Sequence, residues 1–461
     1  MHVSRRSFLR QAACAAVGTT SIASTIWNLR AINAATAQAI GSSTEFRALV
    51  CLFLYGGNDA NNMVVPSDNG TYATYATARG PLALPQSSLL PLNLVTPDAQ
   101  GRSFALHPSM PELQALFNTD QKLAIMANVG TLVEPTTSVQ YLNGTAKLPP
   151  QLFSHADQQV EWQTGWPDAP PKTGWGGRLA DLLTSFNNTD AISMSISLAG
   201  NNTFQVGKTV AEYQVSTGGS IGLNGFGGHN GAIRYQAVQD MLNLPHQNLF
   251  EAEFAKITNR AITNNALLTS ALSGVTLNTP FPANSSLSDQ LQMIAKIIAA
   301  RQALGMRRQI FFCSVGGYDT HSDELNSQAN LLAELSQSMN AFYQATKELG
   351  ISDRVTLFTG SDFGRTFQSN GTGADHGWGS HAFVLGDSVK GGDIYGAYPT
   401  VSLGGPDDVG EGRWVPSTSV DQYSATLAKW YGVSSPTDLT TVLPNIGRFN
   451  SSDLGFLNSL G

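Results

Sequence analysis

The sequence has 461 residues, a formal net charge of −7 at pH 7 and a charged fraction of only 13%. It contains no run of basic residues, which argues against a nucleic-acid partner. A low charged fraction of this kind is ordinary for an exported, soluble protein.

A paired-arginine motif, Ser-Arg-Arg-Ser-Phe-Leu, stands near the N-terminus at residues 4–9. A weakly apolar, Ala-rich run and Ala-x-Ala triplets follow it. This order predicts a twin-arginine signal over residues 1–39, recognised by the twin-arginine translocase, and therefore a periplasmic or secreted location. The apolar run is too short and too interrupted to predict a stable membrane anchor.

Residues 40–461 contain neither a low-complexity linker nor an internal repeat. We therefore expect a single α/β domain with loop insertions over this range. Cys51 and Cys313 lie within apolar, strand-like segments. That placement favours buried free thiols over a disulfide.

Five apolar segments predict strands, because continuous apolar runs are typical of strands buried on both faces of a parallel sheet. They are 48–55, 122–129, 191–198, 309–315 and 355–358. The two last strands flank a segment with helical spacing, which predicts a strand–helix–strand unit with parallel strands and a right-handed crossover.

Helical spacing and capping signals predict seven helices. They are a short helix opening at 109–113 with Ser109 as its cap, and helices over 154–165, 175–186, 249–272, 286–305, 325–349 and 420–431. Residues 67–105 are rich in Pro, Gly, Thr and Ser, and we expect them to be irregular.

Acidic and histidine side chains follow three of the predicted strands. In chain order they are Asp59, then Asp319 and His321, then Asp362, Asp375, His376 and His381. Because ligands of parallel sheets bind outside the carboxyl ends of the strands, we expect these side chains to converge. Carboxylate oxygens and imidazole nitrogens suit one or two divalent ions, Zn²⁺ or Mn²⁺. Two such ions would hold the attacking and leaving oxygens of an ester displacement.

Ser154 is the first residue of the predicted helix 154–165. A hydroxyl at a helix N-terminus is well placed to attack an anionic phosphate or sulfate ester, although an N-cap role for Ser154 stays open. Arg365 would either hold the anionic substrate or neutralise the acids around it. His107 and His155 are interpreted as structural or as supports behind the ligands.

Two of the proposed ligands have alternatives that the sequence leaves open. Asp375 would either bind a metal or orient a neighbouring side chain, and His381 would either bind a metal or face a neighbouring strand.

Six motifs together resemble a known family. They are residues 54–59, 104–108, 154–165, 316–321, 362–366 and 375–377. On these motifs the chain is identified as a member of the widespread family of exported bacterial proteins described as domain of unknown function 1501. That family is similar in turn to the alkaline phosphatase and sulfatase superfamily. The resemblance implies an alkaline-phosphatase-like three-layer α/β/α sandwich with a mostly parallel central sheet.

The resemblance also implies roles for the candidate residues. Ser154 would be the nucleophile and Asp59 the ligand of the first strand. Asp319 with His321 would serve one ion and Asp362 the other, with His376 or His381 as the late histidine. Asp362 is followed by Phe363, where the phosphatases have a histidine, so one or two ions remain possible.

These observations predict an exported, metal-dependent hydrolase of phosphate esters, or of related sulfate or phosphonate esters, with a serine nucleophile. The substrate would be an anionic ester, either a small molecule or linked to a glycan. A phosphotransferase with the same site is a further possibility. The alternative from a different class is an inactive binding or accessory protein of the cell envelope that retains the fold.

Overall fold

The computed structural model describes residues 45–170, 172–187, 192–226 and 228–458. The predicted signal over 1–39 lies outside these residues. Within the described part of the chain, no helix combines the length and the apolar character needed to span a membrane.

The described residues form fifteen strands, numbered in chain order. They are β1 Arg47–Leu54, β2 Val64–Pro66, β3 Leu90–Pro91, β4 Phe104–Leu106, β5 Leu123–Gly130, β6 Ser195–Ser197, β7 Tyr213–Ser216, β8 Gly219–Ser220, β9 Arg308–Val315, β10 Val355–Ser361, β11 Arg365–Ser369, β12 Ala374–His376, β13 Ser380–Leu385, β14 Ile394–Tyr395 and β15 Thr418–Ser419.

The same residues form twelve α-helices. They are Ala60–Met63, Asn69–Arg79, Pro111–Asn118, Ser138–Leu142, His155–Thr164, Trp175–Leu183, Gly231–Leu242, Leu249–Leu272, Ser286–Ala299, Glu324–Glu348, Val420–Tyr431 and Pro436–Val442. Short 3-10 turns add Gly80–Leu82, Gln86–Ser88, Thr184–Phe186, Ser352–Arg354 and Ile446–Arg448.

β1 lies at the centre of the main sheet and pairs in parallel with β9 on one side and β10 on the other. The sheet runs in the order β14-β5-β13-β10-β1-β9-β6-β7-β8, and β15 also pairs with β5. The antiparallel pairs are β10 with β13, β13 with β5, and β7 with β8. The predicted mostly parallel α/β sheet is confirmed. β9 and β10 are parallel as expected, although β1 lies between them.

Alternate side chains of β1 enter two separate apolar cores. Val50 and Leu52 belong to one core, together with residues of the helices Ser286–Ala299 and Glu324–Glu348. Cys51 and Phe53 belong to the other, together with residues of Trp175–Leu183 and Val420–Tyr431. Since successive side chains of a strand point to opposite faces, helices cover both faces of the sheet. This arrangement is the predicted three-layer sandwich.

Two local expectations were wrong. Residues 67–105 are not irregular: Asp68 accepts a hydrogen bond from the Thr71 amide and begins the helix Asn69–Arg79, and β4 pairs with β2 and β3. Ser109 does not cap the next helix, because the N-cap residue is Met110 and no side chain bonds the helix start there. Both cysteines are buried and free, as predicted.

Candidate metal centre

The loops that follow β1, β9 and β10 meet at the carboxyl edge of the sheet. Gly56, which follows β1, has φ of +116°, and a Cβ there would lie 2.4 Å from the Asp319 amide nitrogen. A side chain at this position would push the β1 and β9 loops apart. The Gly-Gly sequence after β1 therefore allows the close approach on which the site depends.

Three imidazoles surround one carboxylate oxygen at this edge. The Nε2 atoms of His321, His376 and His155 lie 3.0, 3.3 and 3.4 Å from Asp319 Oδ1. The Nε2 atoms of His321 and His376 are 3.0 Å apart. We call these four residues the histidine cluster. All four side chains are partly exposed, so a small molecule can reach them.

Each imidazole of the histidine cluster is held from behind at Nδ1. His155 Nδ1 bonds Asp362 Oδ2 at 2.7 Å, and His321 Nδ1 bonds Asp375 Oδ1 at 3.0 Å. His376 Nδ1 bonds the carbonyl oxygen of Phe153 at 2.7 Å. Carboxylates and carbonyls accept hydrogen bonds, so each Nδ1 carries a proton, and each Nε2 presents a lone pair when the imidazole is neutral.

This tautomer assignment tests whether a metal fits. Each of the three Nε2 atoms lies 3.0–3.4 Å from Asp319 Oδ1, and for neutral imidazoles of this tautomer these contacts are repulsive without a cation between them. Ligand atoms of His155, Asp319 and His376 all lie within 4.8 Å of one another. Imidazole nitrogens supported by acceptors at Nδ1, with one carboxylate, form a donor set that suits Zn²⁺ or Mn²⁺.

The surroundings act in opposite directions on two of the imidazoles. The hydrogen bond to Asp362 raises the pKa of His155 and favours its imidazolium form, whose Nε2 proton a bound metal would displace. Burial lowers the pKa of His376 and favours its neutral form. Burial acts to raise the pKa of Asp319. The hydrogen bond and charge of Arg365 outweigh burial, so the pKa of Asp319 is lowered and its carboxylate is ionised at neutral pH.

The position of Arg365 does not fit a substrate-holding role. Its side chain is fully buried, and Nη1 donates to Asp319 Oδ1 at 2.7 Å and to the Gly56 carbonyl at 3.2 Å. Nη2 donates to the Ala374 carbonyl. Of the two roles expected for Arg365, the geometry fits neutralisation of the acids, and the substrate-holding role is corrected.

Asp59 lies apart from the histidine cluster, contrary to expectation. It is buried, its Oδ1 accepts from the Asn61 amide, and its Oδ2 forms an ion pair with Arg79. Arg79 Nη2 also lies 2.7 Å from Glu324 Oε1. We call Asp59, Arg79 and Glu324 the arginine triad. A guanidinium therefore occupies the cation position beside Asp59.

His381 is also separate from the histidine cluster. It is buried, its Nδ1 accepts from the Asn128 amide at 3.0 Å, and its ring stacks on Tyr398 at 4.7 Å. Burial lowers the pKa of His381 to about 3. Its bond to β5 corresponds to the strand-facing alternative. Asp362 and Asp375 are at the site, but they contact imidazole Nδ1 atoms and so occupy orienting positions.

Ser154 lies at the N-terminus of the helix His155–Thr164, as predicted, but it makes no capping hydrogen bond. Its Oγ donates to Asp157 Oδ2 at 2.6 Å. Phe153 has φ of +71°, a strained value for a bulky residue, and its carbonyl holds His376. The two chain neighbours of Ser154 thus both contribute to the histidine cluster.

Sequence reasoning gave too little weight to one helix face. The sequence predicts a structural or supporting role for His155 and none for Gln159. Both side chains contact Asp362 Oδ2, the glutamine at 2.8 Å. Residues i and i+4 of a helix lie on the same face, so the His155–Gln159 spacing could have indicated a shared partner.

The fold and the histidine cluster together define an α/β protein with a candidate metal centre at the carboxyl ends of parallel strands. Residues 47–411 match the model of the family described as "Protein of unknown function (DUF1501)". The chain belongs to this family. No curated protein matches the sequence.

Solved structures give distant similarities. A protein in the alkaline phosphatase superfamily from Vibrio parahaemolyticus is 12% identical, with 86% of this chain and 68% of that chain covered and a TM-score of 0.36. The C-terminal periplasmic domain of EcEptC from Escherichia coli in complex with zinc is 12% identical, with 88% of each chain covered and a TM-score of 0.34.

The phosphonate monoester hydrolase of Agrobacterium radiobacter is 11% identical, with 84% and 74% of the two chains covered and a TM-score of 0.31. At these TM-scores the similarity carries no argument about the chemistry of the site.

Proposed function

We propose that this protein is an exported metal-dependent hydrolase of phosphate, sulfate or phosphonate esters. The observation that supports it most is the convergence of three Nε2 lone pairs on Asp319 Oδ1. His155, Asp319 and His376 would hold a Zn²⁺ or Mn²⁺ ion, with His321 as a further ligand. Such an ion supplies Lewis-acid polarisation of the ester and favours the ionised form of an attacking hydroxyl.

Ser154 is the proposed nucleophile and Asp157 its general base. The Ser154 hydroxyl already donates to Asp157 Oδ2 at 2.6 Å, so the carboxylate is in place to take the proton as the oxygen attacks. The hydroxyl is also not used as a helix cap. Its position at the N-terminus of a helix would favour an incoming anion.

Arg413 takes the substrate-holding role in this proposal. Its Nε donates to the His376 carbonyl at 2.8 Å, and its guanidinium lies 5.3 Å from the ring centre of Phe153. Unlike Arg365, its side chain is partly exposed, with Nη2 paired to Glu411. A partly exposed guanidinium beside His376 is suited to bidentate contact with an ester oxyanion.

Metal content of the exported protein, measured by plasma mass spectrometry, is the first test. We expect about one equivalent of Zn or Mn in the wild type and its loss in Asp319→Ala and His376→Ala. Wild-type protein without metal after reconstitution would overturn the proposal. His229→Ala provides a matched control, since His229 lies outside the histidine cluster, and this variant should retain the metal.

The second test concerns the nucleophile. Ser154→Ala should keep its metal and lose turnover of p-nitrophenyl phosphate, bis-p-nitrophenyl phosphate or p-nitrophenyl sulfate, whichever the wild type hydrolyses. The control is Ser435→Ala, because Ser435 is an N-cap that bonds the Asp438 amide and lies on another helix. The control should lose about 1 kcal/mol of stability but no activity. Full activity of Ser154→Ala would refute the serine assignment.

An inactive envelope binding protein remains the second candidate, supported by a specific observation. Both arginines near the acids, Arg79 and Arg365, are fully buried and paired within the protein. A site that kept its ion but lost its anion-binding group would bind an ester without turning it over. Metal-loaded protein that binds inorganic phosphate but hydrolyses none of the three esters would favour this candidate.

A further inference from the structure

Exposed apolar side chains concentrate on a pair of helices, Gly231–Leu242 and Leu249–Leu272, which follow β8. Among the described residues, seventeen large apolar side chains are exposed; ten of them lie between positions 221 and 257, and seven of these ten are on the two helices. Phe250 is 84% exposed and Phe254 is 68% exposed. Exposure on this scale is therefore a property of this helix pair, and clustered apolar exposure marks interaction surfaces.

Four exposed apolar residues of the second helix form one stripe. Phe250, Phe254, Ile257 and Ala261 recur at spacings of four, three and four, which is the seam of a coiled coil. We call these four residues the apolar stripe. The same spacing continues to Asn264 and Leu268, which are buried, with Leu268 in the core on one face of the sheet. One helix face is thus covered at its C-terminal half and left uncovered at its N-terminal half.

The charges beside the apolar stripe are complementary to a reversed copy of themselves. Glu253 and Arg260 are seven residues apart, so they occupy equivalent positions on the same edge of the stripe. In an antiparallel pair of identical helices, Glu253 of one copy lies opposite Arg260 of the second copy. A two-fold axis produces this contact twice, as an isologous interface requires.

The same antiparallel register matches large side chains with smaller ones. Phe254 meets Ile257 of the second copy, and Phe250 meets Ala261 of the second copy. Four phenylalanines at about 150–250 Å² each would supply roughly half of a standard interface of about 1,200–2,000 Å². Leu249 and Met241, on the same helix pair, and Leu244, between the two helices, are also exposed and can add to the buried area.

We propose that the apolar stripe is the dimer interface of this protein, with a second copy docked antiparallel along the helix Leu249–Leu272. A lipid surface is a poorer occupant, because interfacial helices carry a polar face rich in Lys and Arg. Here acidic Glu251 and Glu253 stand beside Lys256 and Arg260. This inference is independent of the proposed activity.

Sedimentation equilibrium of the full exported protein tests the dimer. We expect two copies at micromolar concentration and a dissociation constant more than a hundredfold higher for Phe254→Glu. The side chain is exposed, so the monomeric variant should keep the thermal transition of the wild-type monomer. Leu142→Glu is the matched control, since Leu142 is 65% exposed on a different helix and should leave the dimer intact.

Charge reversal tests the register. Glu253→Arg and Arg260→Glu should each raise the dissociation constant about tenfold, because each reversal turns two attractive contacts into repulsive ones. The double variant should return to near the wild-type value. Failure of this rescue would overturn the antiparallel register.

Three outcomes would overturn the dimer itself. They are a wild-type monomer at about 100 μM, a dimer that survives Phe254→Glu, and a dimer lost equally in Leu142→Glu. Binding of a monomeric wild type to phosphatidylcholine vesicles, abolished by Phe254→Glu, would assign the stripe to a lipid surface instead.

Discussion

The histidine cluster and the arginine triad both collect acidic side chains at the carboxyl edge of the sheet, but they balance charge differently. The region of the histidine cluster contains three carboxylates, those of Asp319 and of Asp362 and Asp375 behind the imidazoles. It contains one buried guanidinium, that of Arg365. Counted as ionised, with neutral imidazoles, this region has two negative charges in excess. A divalent cation would neutralise it.

The arginine triad is neutral without any added ion. Arg79 is fully buried between Asp59 and Glu324. Burial, together with the charge of Asp59, raises the pKa of Glu324 well above its usual range, so that this carboxyl holds its proton. One guanidinium then balances one carboxylate. The contrast supports the proposed metal centre, because the carboxylates around the histidine cluster exceed the one guanidinium beside them, whereas those of the arginine triad do not.

Removing Arg79, the internal cation of the arginine triad, should have the largest effect on stability. Arg79→Met leaves Asp59 and Glu324 buried without a partner, and we expect a loss of about 3–5 kcal/mol of unfolding free energy. Urea unfolding measures it. The triple variant that combines Arg79→Met with Asp59→Asn and Glu324→Gln removes all charge and should recover most of the loss. A stability unchanged in Arg79→Met would mean that the triad carries no uncompensated charge.

The next largest effect should be the pH dependence of stability that Glu324 causes. The folded pKa of Glu324 is raised, so between about pH 4.3 and that pKa the folded state binds one proton more than the unfolded state. Stability is then full at low pH and falls as the pH rises, by at most about 1.4 kcal/mol per pH unit. Glu324→Gln should flatten the slope relative to wild type. Parallel slopes would contradict the assignment.

Of the two carboxylates that bond imidazole Nδ1 atoms of the histidine cluster, the buried Asp362 should affect metal affinity more than the exposed Asp375. Asp362→Asn removes a buried charge that holds His155 Nδ1, and we expect metal affinity to fall about 10–100-fold. Competition with a chelating dye measures the affinity. Asp387→Asn is the control, because Asp387 bonds Tyr343 and Ser352 and no histidine of the site. An unchanged affinity in Asp362→Asn would separate Asp362 from the metal site.

The smallest effect is expected at the exposed support. Asp375 is about half exposed where it contacts His321 Nδ1 at 3.0 Å, so water can replace much of its interaction. Asp375→Asn should weaken metal binding by less than about tenfold, as measured by the same competition. A loss as large as that of Asp362→Asn would show that His321 is as important a ligand as His155.

Much of the fold follows from local pattern. The apolar runs predicted β1, β5, β9 and β10 to within a few residues, and the last long helix, Val420–Tyr431, begins and ends where its spacing indicated. The strand-end argument also brought Asp319, His321 and His376 into one group. These predictions succeed because a buried strand or a covered helix face needs apolar residues at a fixed period, which the sequence carries directly.

The positions of Asp59 and His155 could not be predicted from local sequence pattern. Asp59 follows β1 as a ligand would, yet it is neutralised by Arg79, from a segment that the sequence indicated to be irregular. His155 joins the site through a contact of its Nδ1 with Asp362, which lies 207 residues further along the chain.

Local sequence was enough to determine the main strands, most helices and which polar residues gather at one edge of the sheet. Long-range contacts were needed to decide which of those residues face each other and which are already neutralised. The physical reason is the sequence distance over which each effect acts. Hydrophobic periodicity involves about ten to twenty neighbouring residues, whereas charge balance depends on side chains that are far apart in the chain. Arg79 and Glu324, separated by 245 positions, are the clearest case.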